Sequence, residues 1–457
     1  IKNKNLNMDY IKSKYAFAVA RKLPNNREIC LLFSGRTGKN MFVSPSTYRN
    51  VTKGDFHLLN VEVQESLVKQ KILVPENEDE LFEVNKENEL AMKQDSNDRL
   101  YISIQPTASC QLACDYCGQK HSHKALTEDT MNAIIKRVTE KLSQSAFKIL
   151  EIGWFGGEPL CALGNMRTLN EQLKRIAADH DVKYRGHITT NGYALTPKLY
   201  EELKEEFNIK RIEITIDGSK EYHDARRITC SGKGSFDKIF NNLESIVLSE
   251  YYDMDKCIIS VRCNVDERNV EGVFPLLKTF VQKNMQHKIL FYTTAVVSWS
   301  NNGAGSEEGC KSLGKKSTDH IAYMLENGFK IGILPHRTAP FKCLGTDANA
   351  EMYDADGNIF DCSETSYSDY YSEQGYVLGN VMHERTGNSG KRSKLSLVPN
   401  MLLNKGIKPC DECKFYPLCG GLCPLALLEG TPRCPSFTYN IEDRIFLDFL
   451  AKNRTKH

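Results

Sequence analysis

Three closely spaced cysteines carry the clearest chemical signal in this chain. Cys110, Cys114 and Cys117 follow the spacing C-x3-C-x2-C in the segment SIQPTASCQLACDYCGQ. A closed iron–sulfur cluster or a structural zinc site takes four protein ligands, so three thiolates leave such a site one ligand short. In a four-iron cluster held this way, one iron stays open to a small molecule. The spacing therefore favours reactive chemistry, with a zinc knuckle or a chance match as the alternatives.

A second motif follows one strand and one helix later. Gly156, Gly157, Glu158 and Pro159 form the sequence GGEP directly after the apolar segment ILEIGWF. Two glycines at the end of a strand let the backbone approach a ligand closely. A surface turn would explain GGEP alone, but the two motifs together, in this order and at this separation, argue against chance.

The two motifs resemble those of the radical S-adenosylmethionine (SAM) enzymes. The resemblance implies that SAM binds the open iron through its amino and carboxylate groups, and that GGEP offers backbone carbonyls to the amino group. It also implies that an electron from the cluster cleaves the sulfonium of SAM to methionine and a deoxyadenosyl radical, which removes a hydrogen atom from a substrate. The chain is therefore predicted to be an oxidoreductase that forms 5′-deoxyadenosine.

Other residues match the SAM-contacting positions of this family. Tyr116 matches an aromatic position near the adenine, and Thr190 and Asn191, in the TTNG that ends the third predicted strand, match a polar contact to the ribose. A TNG sequence also makes an ordinary turn. Arg227 ends an HD-x-x-R pattern and is the predicted partner of the SAM carboxylate, because a guanidinium binds a carboxylate bidentately. Arg226 is the adjacent alternative, and solvation at the surface would explain either arginine.

Polar residues also lie on the fourth and fifth predicted strands. Asp217 and Gly218 close the segment ITIDG, and Arg262 and Asn264 lie on the following strand. Arg262 and Asn264 either complete the SAM pocket or are buried for structural reasons.

Seven cysteines in the last part of the chain resemble the SPASM domain that is appended to radical SAM enzymes. They follow the spacing C-x13-G-x4-C, then C-x2-C-x5-C-x3-C, then a final cysteine. The resemblance implies one auxiliary cluster held by Cys410, Cys413, Cys419 and Cys434, and another held by Cys343, Cys362 and Cys423. A pair of structural zinc sites is the alternative on spacing alone. The upstream motifs favour iron, so three [4Fe–4S] clusters are predicted.

The second auxiliary cluster is short of one cysteine. No cysteine lies between Cys343 and Cys362, where some family members supply one. Either a substrate thiolate binds the open iron, since metals acidify thiols, or Cys310 in the glycine-rich segment SNNGAGSEEGC is the ligand. Most of the remaining cysteines are predicted to be small buried hydrophobic residues; these are Cys30, Cys161, Cys230, Cys257 and Cys263.

Residues 96–335 are predicted to form an α/β domain. Six strand-like segments, YISIQ, ILEIGWF, YRGHITT, RIEITI, IISVRCNV and KILFYTTAV, alternate with helix-like segments such as TEDTMNAIIKRVTEKLSQ. Such a series favours a parallel sheet with helices outside, and six units are fewer than the eight of a closed TIM barrel. The family resemblance implies a partial (βα)6 TIM-like barrel that is open on one side.

The two ends of the chain differ from this pattern. Residues 1–95 contain a hairpin around GRTGK, two helix-like segments and LFEVNKEN as a possible wing, which resembles the winged-helix-like α+β modules that bind leader peptides. A merely structural N-terminal cap is the alternative. The polar segment NKENELAMKQDSNDR is the predicted linker. Residues 336–457 are the predicted SPASM domain, with HERTGNSGKRSKLSLVPN as a surface loop and YNIEDRIFLDFLAK as a final helix.

Composition limits the partners of this protein. The formal net charge of the 457 residues is +2, which gives no reason to expect nucleic acid. No apolar run approaches the ~20 residues of a membrane span. Sixteen cysteines without a recognisable signal peptide predict metal ligation in the cytoplasm rather than disulfides. A reducing partner of the flavodoxin or ferredoxin type is expected.

The predicted function is maturation of a ribosomal precursor peptide that carries a leader, by a thioether or carbon–carbon crosslink. The first alternative is an anaerobic sulfatase-maturing enzyme, which makes formylglycine. Those enzymes begin close to the first motif and place an acid directly after the second SPASM cysteine, whereas here Ser363 follows Cys362, between Asp361 and Glu364. The second alternative is an iron–sulfur electron carrier or scaffold, which would need no open iron.

Overall fold

A computed structural model describes residues 9–95, 98–297, 299, 304, 306–336, 343–383, 392–405, 407–421, 423–431 and 433–454. The chain divides into two compact units. Unit 1 comprises Ile1–Gln94, Gly332–Lys342 and Leu397–His457, and unit 2 comprises Asp95–Ile331 and Cys343–Ser396. The predicted domain boundaries at residues 95/96 and 335/336 stay predictions.

The N-terminal part of unit 1 contains two small sheets and three helices. A three-stranded antiparallel sheet has the order β2-β3-β4, and β1 pairs with β5. The strands are β1 (Tyr10–Lys12), β2 (Ala16–Lys22), β3 (Glu28–Ser34), β4 (Lys39–Val43) and β5 (Leu73–Pro75), and the helices are α1 (Pro45–Lys53), α2 (Val61–Lys69) and α3 (Glu80–Asp95). The hairpin predicted around GRTGK is therefore confirmed as β3–β4, and both helix-like segments are helical.

The segment LFEVNKEN is not a wing but part of helix α3. Asp79 accepts a hydrogen bond from the Phe82 amide at 3.1 Å, and Glu80 and Glu83 place negative charge in the first turn. These are N-terminal helix signals that outweigh the short apolar alternation read as a strand. Helix α3 continues to Asp95, so most of the predicted linker is helical as well.

Unit 2 is built on a nine-stranded sheet of order β13-β12-β10-β9-β8-β6-β14-β15-β16, in which the first seven strands are parallel. The strands of the sheet are β6 (Arg99–Ile104), β8 (Ile149–Trp154), β9 (Lys183–Thr190), β10 (Ile209–Thr215), β12 (Ile258–Val265), β13 (Leu290–Ala295), β14 (Ala350–Tyr353), β15 (Asn358–Phe360) and β16 (Gly379–Asn380). A separate pair consists of β7 (Leu112–Cys114) and β11 (Arg227–Thr229).

The predicted α/β architecture is confirmed, since all six predicted strands are present and parallel in chain order. The helices of unit 2 are α4 (Glu128–Gln144), α5 (Leu163–Asp179), α6 (Pro197–Glu205), α7 (Lys220–Asp224), α8 (Phe236–Val247), α9 (Val273–Gln282), α10 (Glu307–Glu326) and α11 (Asp369–Glu373). Sequence reasoning missed β14, which extends the sheet beside β6. Cys310 lies in the first turn of α10 and not in a loop.

Alternation along the strands gives the sheet two chemically different faces. On β8, Leu150, Ile152 and Trp154 are almost fully buried, whereas Glu151 lines a cavity on the other face. Successive side chains of a strand point to opposite faces, so one face carries the apolar core and the other presents polar groups to the barrel interior.

The C-terminal part of unit 1 is helical: α12 (Val398–Lys405), α13 (Tyr416–Cys419), α14 (Pro424–Leu428) and α15 (Ile441–Arg454). The final helix is as predicted, and Ile441 and Ile445 of α15 share a buried apolar cluster with Phe17 and Phe33 of the N-terminal sheet. The end of the predicted loop 383–400 is helical from Lys394 onward, and its residues 384–391 lie outside the described part. None of the described helices is long and apolar enough to cross a membrane.

Candidate active site

A cavity of about 340 Å³ in unit 2 lies at the carboxyl ends of the parallel strands. This cavity, called the cysteine-loop cavity below, brings together most of the residues singled out from the sequence. Those on its wall are Cys110, Cys114, Tyr116, Cys117, Gly156, Gly157, Glu158, Thr190, Asn191, Arg227, Arg262 and Asn264. Pro159 is buried, but it begins the 3-10 turn Pro159–Ala162 instead of lining the cavity.

The cysteine loop is held in place by backbone pairing. Strand β7, which ends at Cys114, pairs with β11 so that Cys114 lies directly opposite Arg227. The side-chain amide nitrogen of Asn191 lies 3.7 Å from the Cys110 sulfur, and the backbone amide of Leu112 lies 3.4 Å from it. Burial raises the pKa of the Cys110 thiol to about 12 and that of the Cys114 thiol to about 11, although the charge of Arg227 acts to lower it. These thiols therefore need a cation to become thiolates.

The two glycines of GGEP are required by contact between backbones. A Cβ on Gly157 would lie 2.6 Å from the Ser109 carbonyl oxygen and 2.9 Å from backbone atoms of Ala108. Gly156 has φ +114°, a left-handed conformation that L side chains rarely adopt, and its Cβ would lie 2.9 Å from the Gln105 side chain. The turn after β8 thus packs directly on the segment that leads into Cys110.

The carboxylate of Glu158 joins the ends of strands β8 and β9. It accepts hydrogen bonds from the Thr190 hydroxyl at 2.6 Å, the Asn191 amide at 2.7 Å and the Leu160 amide at 3.1 Å. Burial raises the pKa of Glu158, and these donors act in the opposite direction. The carboxylate therefore positions the turn that carries Thr190 and Asn191.

Tyr116 is the centre of a buried network on the opposite wall. Its hydroxyl donates to Asp217 at 2.6 Å and accepts from Arg227 at 2.5 Å and from Asn264 at 3.0 Å. Burial raises the pKa of this phenol, so it stays protonated and can donate. The sequence singled out each of these residues separately, and the structure links them through one hydroxyl.

The structure distinguishes the two candidate arginines. Arg226 donates to Asp266 at 2.9 Å, stacks over the Tyr116 ring at 4.8 Å and is not on the cavity wall. Arg227 lines the cavity, and its Nε is buried without a hydrogen-bond partner. Arg226 also has buried guanidinium nitrogens, Nε and Nη1, without a hydrogen-bond partner, so the position on the cavity wall is what makes Arg227 the arginine suited to an incoming carboxylate.

These observations fit an iron–sulfur cluster and SAM. Three sulfur donors line one cavity, two glycines form a close cradle beside it, and an unpartnered guanidinium nitrogen is available for a carboxylate. Over the described ranges, no three Cys, His, Asp or Glu side chains already converge as a metal site. The ligand set therefore stays a prediction that rests on the shared cavity and on the donor chemistry.

Several residues of the cavity were missed by sequence reasoning. His121 lies 3.7 Å from the Cys117 sulfur. Its position, four residues after the last cysteine of the motif, could have indicated from the sequence that it lies near the cysteines. The aromatic rings of Phe155 and Trp299 also line the cavity, but neither residue belongs to a recognisable sequence motif. Glu364 lines the cavity, whereas Asp361 is fully buried and accepts from the Ser393 amide.

The remaining cysteines are only partly as predicted. Cys30, Cys257 and Cys263 are buried, but Cys161 and Cys230 are exposed. Both exposed residues contact the cysteine loop: the Cys161 thiol lies 3.1 Å from the Gln111 side-chain oxygen, and the Cys230 thiol lies 3.4 Å from the Cys110 carbonyl oxygen. Cys161 comes shortly after GGEP, and Cys230 comes directly after β11. Both turns lie at the rim of the cavity, so their side chains reach solvent and the prediction of burial was wrong for them.

The C-terminal cysteines are divided between the units. In unit 1, burial is the main cause that raises the pKa of Cys410, and the nearby thiols of Cys413 and Cys434 raise it further. Burial also raises the pKa of Cys419, and Cys410, Cys413 and Cys434 add to this effect. These four thiols therefore act on one another electrostatically, but within the described residues they do not converge as a metal site, so the ligand set Cys410, Cys413, Cys419 and Cys434 stays a prediction. Cys343 and Cys362 belong to unit 2 and Cys423 to unit 1, so that ligand set stays a prediction.

Comparison with known proteins agrees with this cavity. The model of the Radical SAM superfamily matches residues 104–248, which include the cysteine motif, GGEP and Arg227. Residues 104–248 therefore form a radical SAM domain. Enzymes of this superfamily use a [4Fe–4S] cluster and SAM.

Several relatives share the architecture of this radical SAM protein. The cysteine-type anaerobic sulfatase-maturating enzyme of Clostridium novyi is 22% identical over 389 residues, which cover 78% of this chain and 96% of that enzyme. The structure of native anSMEcpe with bound AdoMet has a TM-score of 0.59 at 19% identity and covers 78% of this chain and 99% of that one. The structure of Streptococcus suis SuiB bound to precursor peptide SuiA has a TM-score of 0.50 at 12% identity, and the match covers 93% of this chain and 98% of that one. These structural likenesses show the fold.

Proposed function

We propose that this radical SAM enzyme matures a ribosomal precursor peptide by installing a thioether or carbon–carbon crosslink. One observation carries the proposal: three cysteines, the GGEP turn and Arg227 share one cavity of about 340 Å³ that has room for more than a cluster. The fold likeness to SuiB, which was solved with a precursor peptide, extends over 93% of this chain. The fold likeness to anSMEcpe covers 78% of this chain.

When bound, the clusters and SAM supply one electron and the radical that removes a hydrogen atom, and they take up the second electron released as the crosslink forms. The peptide loses one hydrogen atom to the radical and one proton, and it gains one new C–S or C–C bond. In this proposal, Cys110, Cys114 and Cys117 hold the SAM-cleaving cluster. The carbonyls of the GGEP turn bind the SAM amino group, and Arg227 binds the carboxylate.

The same proposal assigns Thr190 and Asn191 to the ribose and Tyr116 to the adenine. Thr190 and Asn191 are held by Glu158, and Tyr116 is held by Asp217, so each contact is fixed by a buried partner. Rigid support of this kind is what positioning a reactive group demands.

Two auxiliary clusters in a SPASM domain complete the proposal. The electrostatic coupling of the four thiols Cys410, Cys413, Cys419 and Cys434 supports the first. The second rests on the spacing of Cys343, Cys362 and Cys423. A flavodoxin or ferredoxin type protein is the proposed electron donor.

Leader binding is proposed for strand β4. Within the described residues, β4 pairs only with β3, which leaves a strand edge. Phe42 on β4 is 52% exposed, so part of its ring is open to contact with a peptide. An extended peptide can add a strand to such an edge. The N-terminal strands share a core with α15, so truncating them would disturb unit 1, and a point variant is the better probe.

The test is SAM cleavage under anaerobic, reducing conditions, followed by mass spectrometry of candidate precursor peptides, chosen from short open reading frames next to the gene. The reconstituted full chain is expected to form 5′-deoxyadenosine and to remove two hydrogen atoms from the peptide. The triple variant Cys110→Ala, Cys114→Ala and Cys117→Ala should do neither, while keeping auxiliary iron. Phe42→Glu should weaken peptide binding by about tenfold, whereas Leu248→Glu, on an exposed site of unit 2, should not. Retained SAM cleavage in the triple variant would falsify the assignment.

Formylglycine formation is the second candidate function. The alignment with the Clostridium novyi enzyme covers 96% of that protein, and the structure places an acid, Glu364, on the cavity wall although Ser363 follows Cys362. The same mass spectra separate a crosslink from formylglycine made from cysteine, which loses its sulfur. Formylglycine made from serine loses two hydrogen atoms, as a crosslink does, but its aldehyde reacts with a hydrazide reagent and a crosslink does not. An electron carrier, the third class, would form no 5′-deoxyadenosine.

A further inference from the structure

The interior of the partial barrel contains a second cavity, of about 410 Å³, which the proposed chemistry does not use. It lies toward the amino ends of the parallel strands and is called the barrel cavity below. Strands β8, β9 and β10 supply its charged and polar wall, namely Glu151, Arg185, His187, Thr189, Lys210, Arg211 and Glu213.

The first carboxylate of the barrel cavity is shared by two arginines. Glu151 accepts from Arg185 Nε at 2.9 Å and lies 3.4 Å from Arg99 Nη1. Arg99 also pairs with Asp347 at 3.1 Å. The side chain of Glu151 is only 14% exposed, whereas those of Arg99 and Arg185 are 39% and 44% exposed. The negative charge is therefore inside the wall, and the guanidinium groups reach solvent.

The second carboxylate repeats this arrangement. Glu213 accepts from Arg211 at 2.6 Å and from the Tyr292 hydroxyl, and it lies 3.6 Å from Arg262. Its side chain is 11% exposed, against 51% for Arg211 and 38% for Arg262. Lys210 adds another cation to the wall. Each arginine has five N–H donors, so these pairs leave donors free for a further anion. The four arginines and Lys210 outnumber the three carboxylates Glu151, Glu213 and Asp347, so the surroundings of the cavity carry a net positive charge.

The barrel cavity and the cysteine-loop cavity have one wall residue in common. Thr189 lines both cavities. Arg185, His187 and Thr189 follow one another at every second position of β9 and so share a face. Four residues of a strand span about 13 Å, so an anion at Arg185 lies about four extended peptide residues from the cysteine-loop cavity.

We propose that the barrel cavity binds a carboxylate of the peptide substrate through Arg185 and Arg211, about four residues from the residue that is modified. The proposal rests on the proposed function only in taking a peptide as the substrate. The carboxylate comes either from an Asp or Glu side chain or from the C-terminus of the peptide. Planar, bidentate recognition of carboxylates is the reason that arginine suits such a site.

The experiment measures the binding of three fluorescein-labelled peptides to the reconstituted full chain by fluorescence anisotropy. The first carries Glu about four residues from a Cys and an amidated C-terminus. The second carries Gln in place of Glu, and the third carries Gln with a free C-terminal carboxylate at the same separation. We expect at least about tenfold tighter binding of one carboxylate peptide than of the neutral peptide, reduced by added salt. Which of the two binds identifies the source of the carboxylate.

Variants test the assignment to named residues. Arg185→Gln combined with Arg211→Gln should abolish the preference, while Arg175→Gln, an exposed arginine on α5 paired with Glu171, should retain it. Arg211→Glu should instead favour a peptide in which Lys replaces the Glu. If the double variant unfolds in a thermal melt, Lys210→Gln removes a cavity charge without touching the partners of Glu151 or Glu213, and it should reduce the preference. Equal or undetectable binding of all three peptides by a protein that still cleaves SAM would overturn the proposal, whereas loss of SAM cleavage itself would refute the proposed function.

Discussion

The cysteine-loop cavity and the barrel cavity accommodate polar side chains in opposite ways. In the cysteine-loop cavity, Glu158, Asp217 and Arg227 are at most 5% exposed and bond to one another or to the backbone. In the barrel cavity, Arg185 and Arg211 are about half exposed and surround carboxylates that are nearly buried. Buried networks lose much when one partner is removed, whereas exposed ion pairs contribute little. The cysteine-loop cavity should therefore be sensitive to geometry, and the barrel cavity to charge.

The largest effect is expected from Gly157→Ala. Its Cβ would lie 2.6 Å from the Ser109 carbonyl oxygen, so the cysteine loop must move. A displacement of about 1 Å in a reactive site costs about a hundredfold in rate, and a drop of that size in 5′-deoxyadenosine formation is expected. Gly164→Ala is the matched control, because a Cβ at Gly164 meets nothing within 4 Å. Near-normal activity of the Gly157 variant would show that the loop has more freedom than this packing allows.

A smaller effect is expected from Glu158→Gln. The substitution replaces one acceptor oxygen by an NH2 group and leaves a buried donor of Thr190, Leu160 or Asn191 unsatisfied. The free energy of unfolding should fall by about 1–3 kcal/mol, and the KM for SAM should rise. Glu171→Gln, at an exposed pair on α5, should change stability by less than about 0.5 kcal/mol. Urea unfolding measures the free energy of unfolding of the two variants. Equal values for Glu158→Gln and Glu171→Gln would contradict a structural role of the Glu158 carboxylate.

Tyr116→Phe should have a more modest effect. It removes the hydroxyl that joins Asp217, Arg227 and Asn264 but keeps the ring. Asp217 still accepts from the Asn264 amide at 2.8 Å, so the loss should be about 1 kcal/mol. Steady-state kinetics with SAM as the varied ligand should show a several-fold higher KM with little change in kcat. A changed kcat with an unchanged KM would place Tyr116 elsewhere in the reaction.

The smallest effect concerns Glu151 in the barrel cavity. Burial acts to raise its pKa, but the hydrogen bonds from His187 and Arg185 outweigh this and lower the pKa to about 2. A folded-state pKa below the unfolded value adds stability above pH ~4.5 and loses it as the pH falls toward 2. Because the arginines are about half exposed and solvent screens their charges, we expect only about 0.5 kcal/mol at pH 6. The difference in unfolding free energy between the wild type and Glu151→Gln should shrink between pH 6 and 3, and a constant difference would contradict the assignment.

The two cavities also differ in how far they could be predicted. Every strand of the predicted α/β domain was confirmed, and most of the SAM-motif residues lie on one wall, because glycine pairs and cysteine spacings are rare enough to be recognised. The barrel cavity escaped notice, because Arg185, Arg211 and their partners are ordinary strand residues in sequence. Helix α3 was mistaken for a wing, and Cys161 and Cys230 for buried residues, since local patterns do not show which surface a segment will meet.

The sequence by itself indicated the radical SAM motifs, the parallel strand order and most residues of the cysteine-loop cavity, because these depend on local spacing and on periodic burial. Only the tertiary structure decided between Arg226 and Arg227 and between Asp361 and Glu364. Neighbours in sequence can point to different environments, and the pairing of β7 with β11 is what sets Arg227 opposite Cys114. Likewise, only the folded sheet brings four arginines around Glu151 and Glu213, because paired residues on these adjacent strands are 23 to 50 positions apart in the chain but only about 5 Å apart in space.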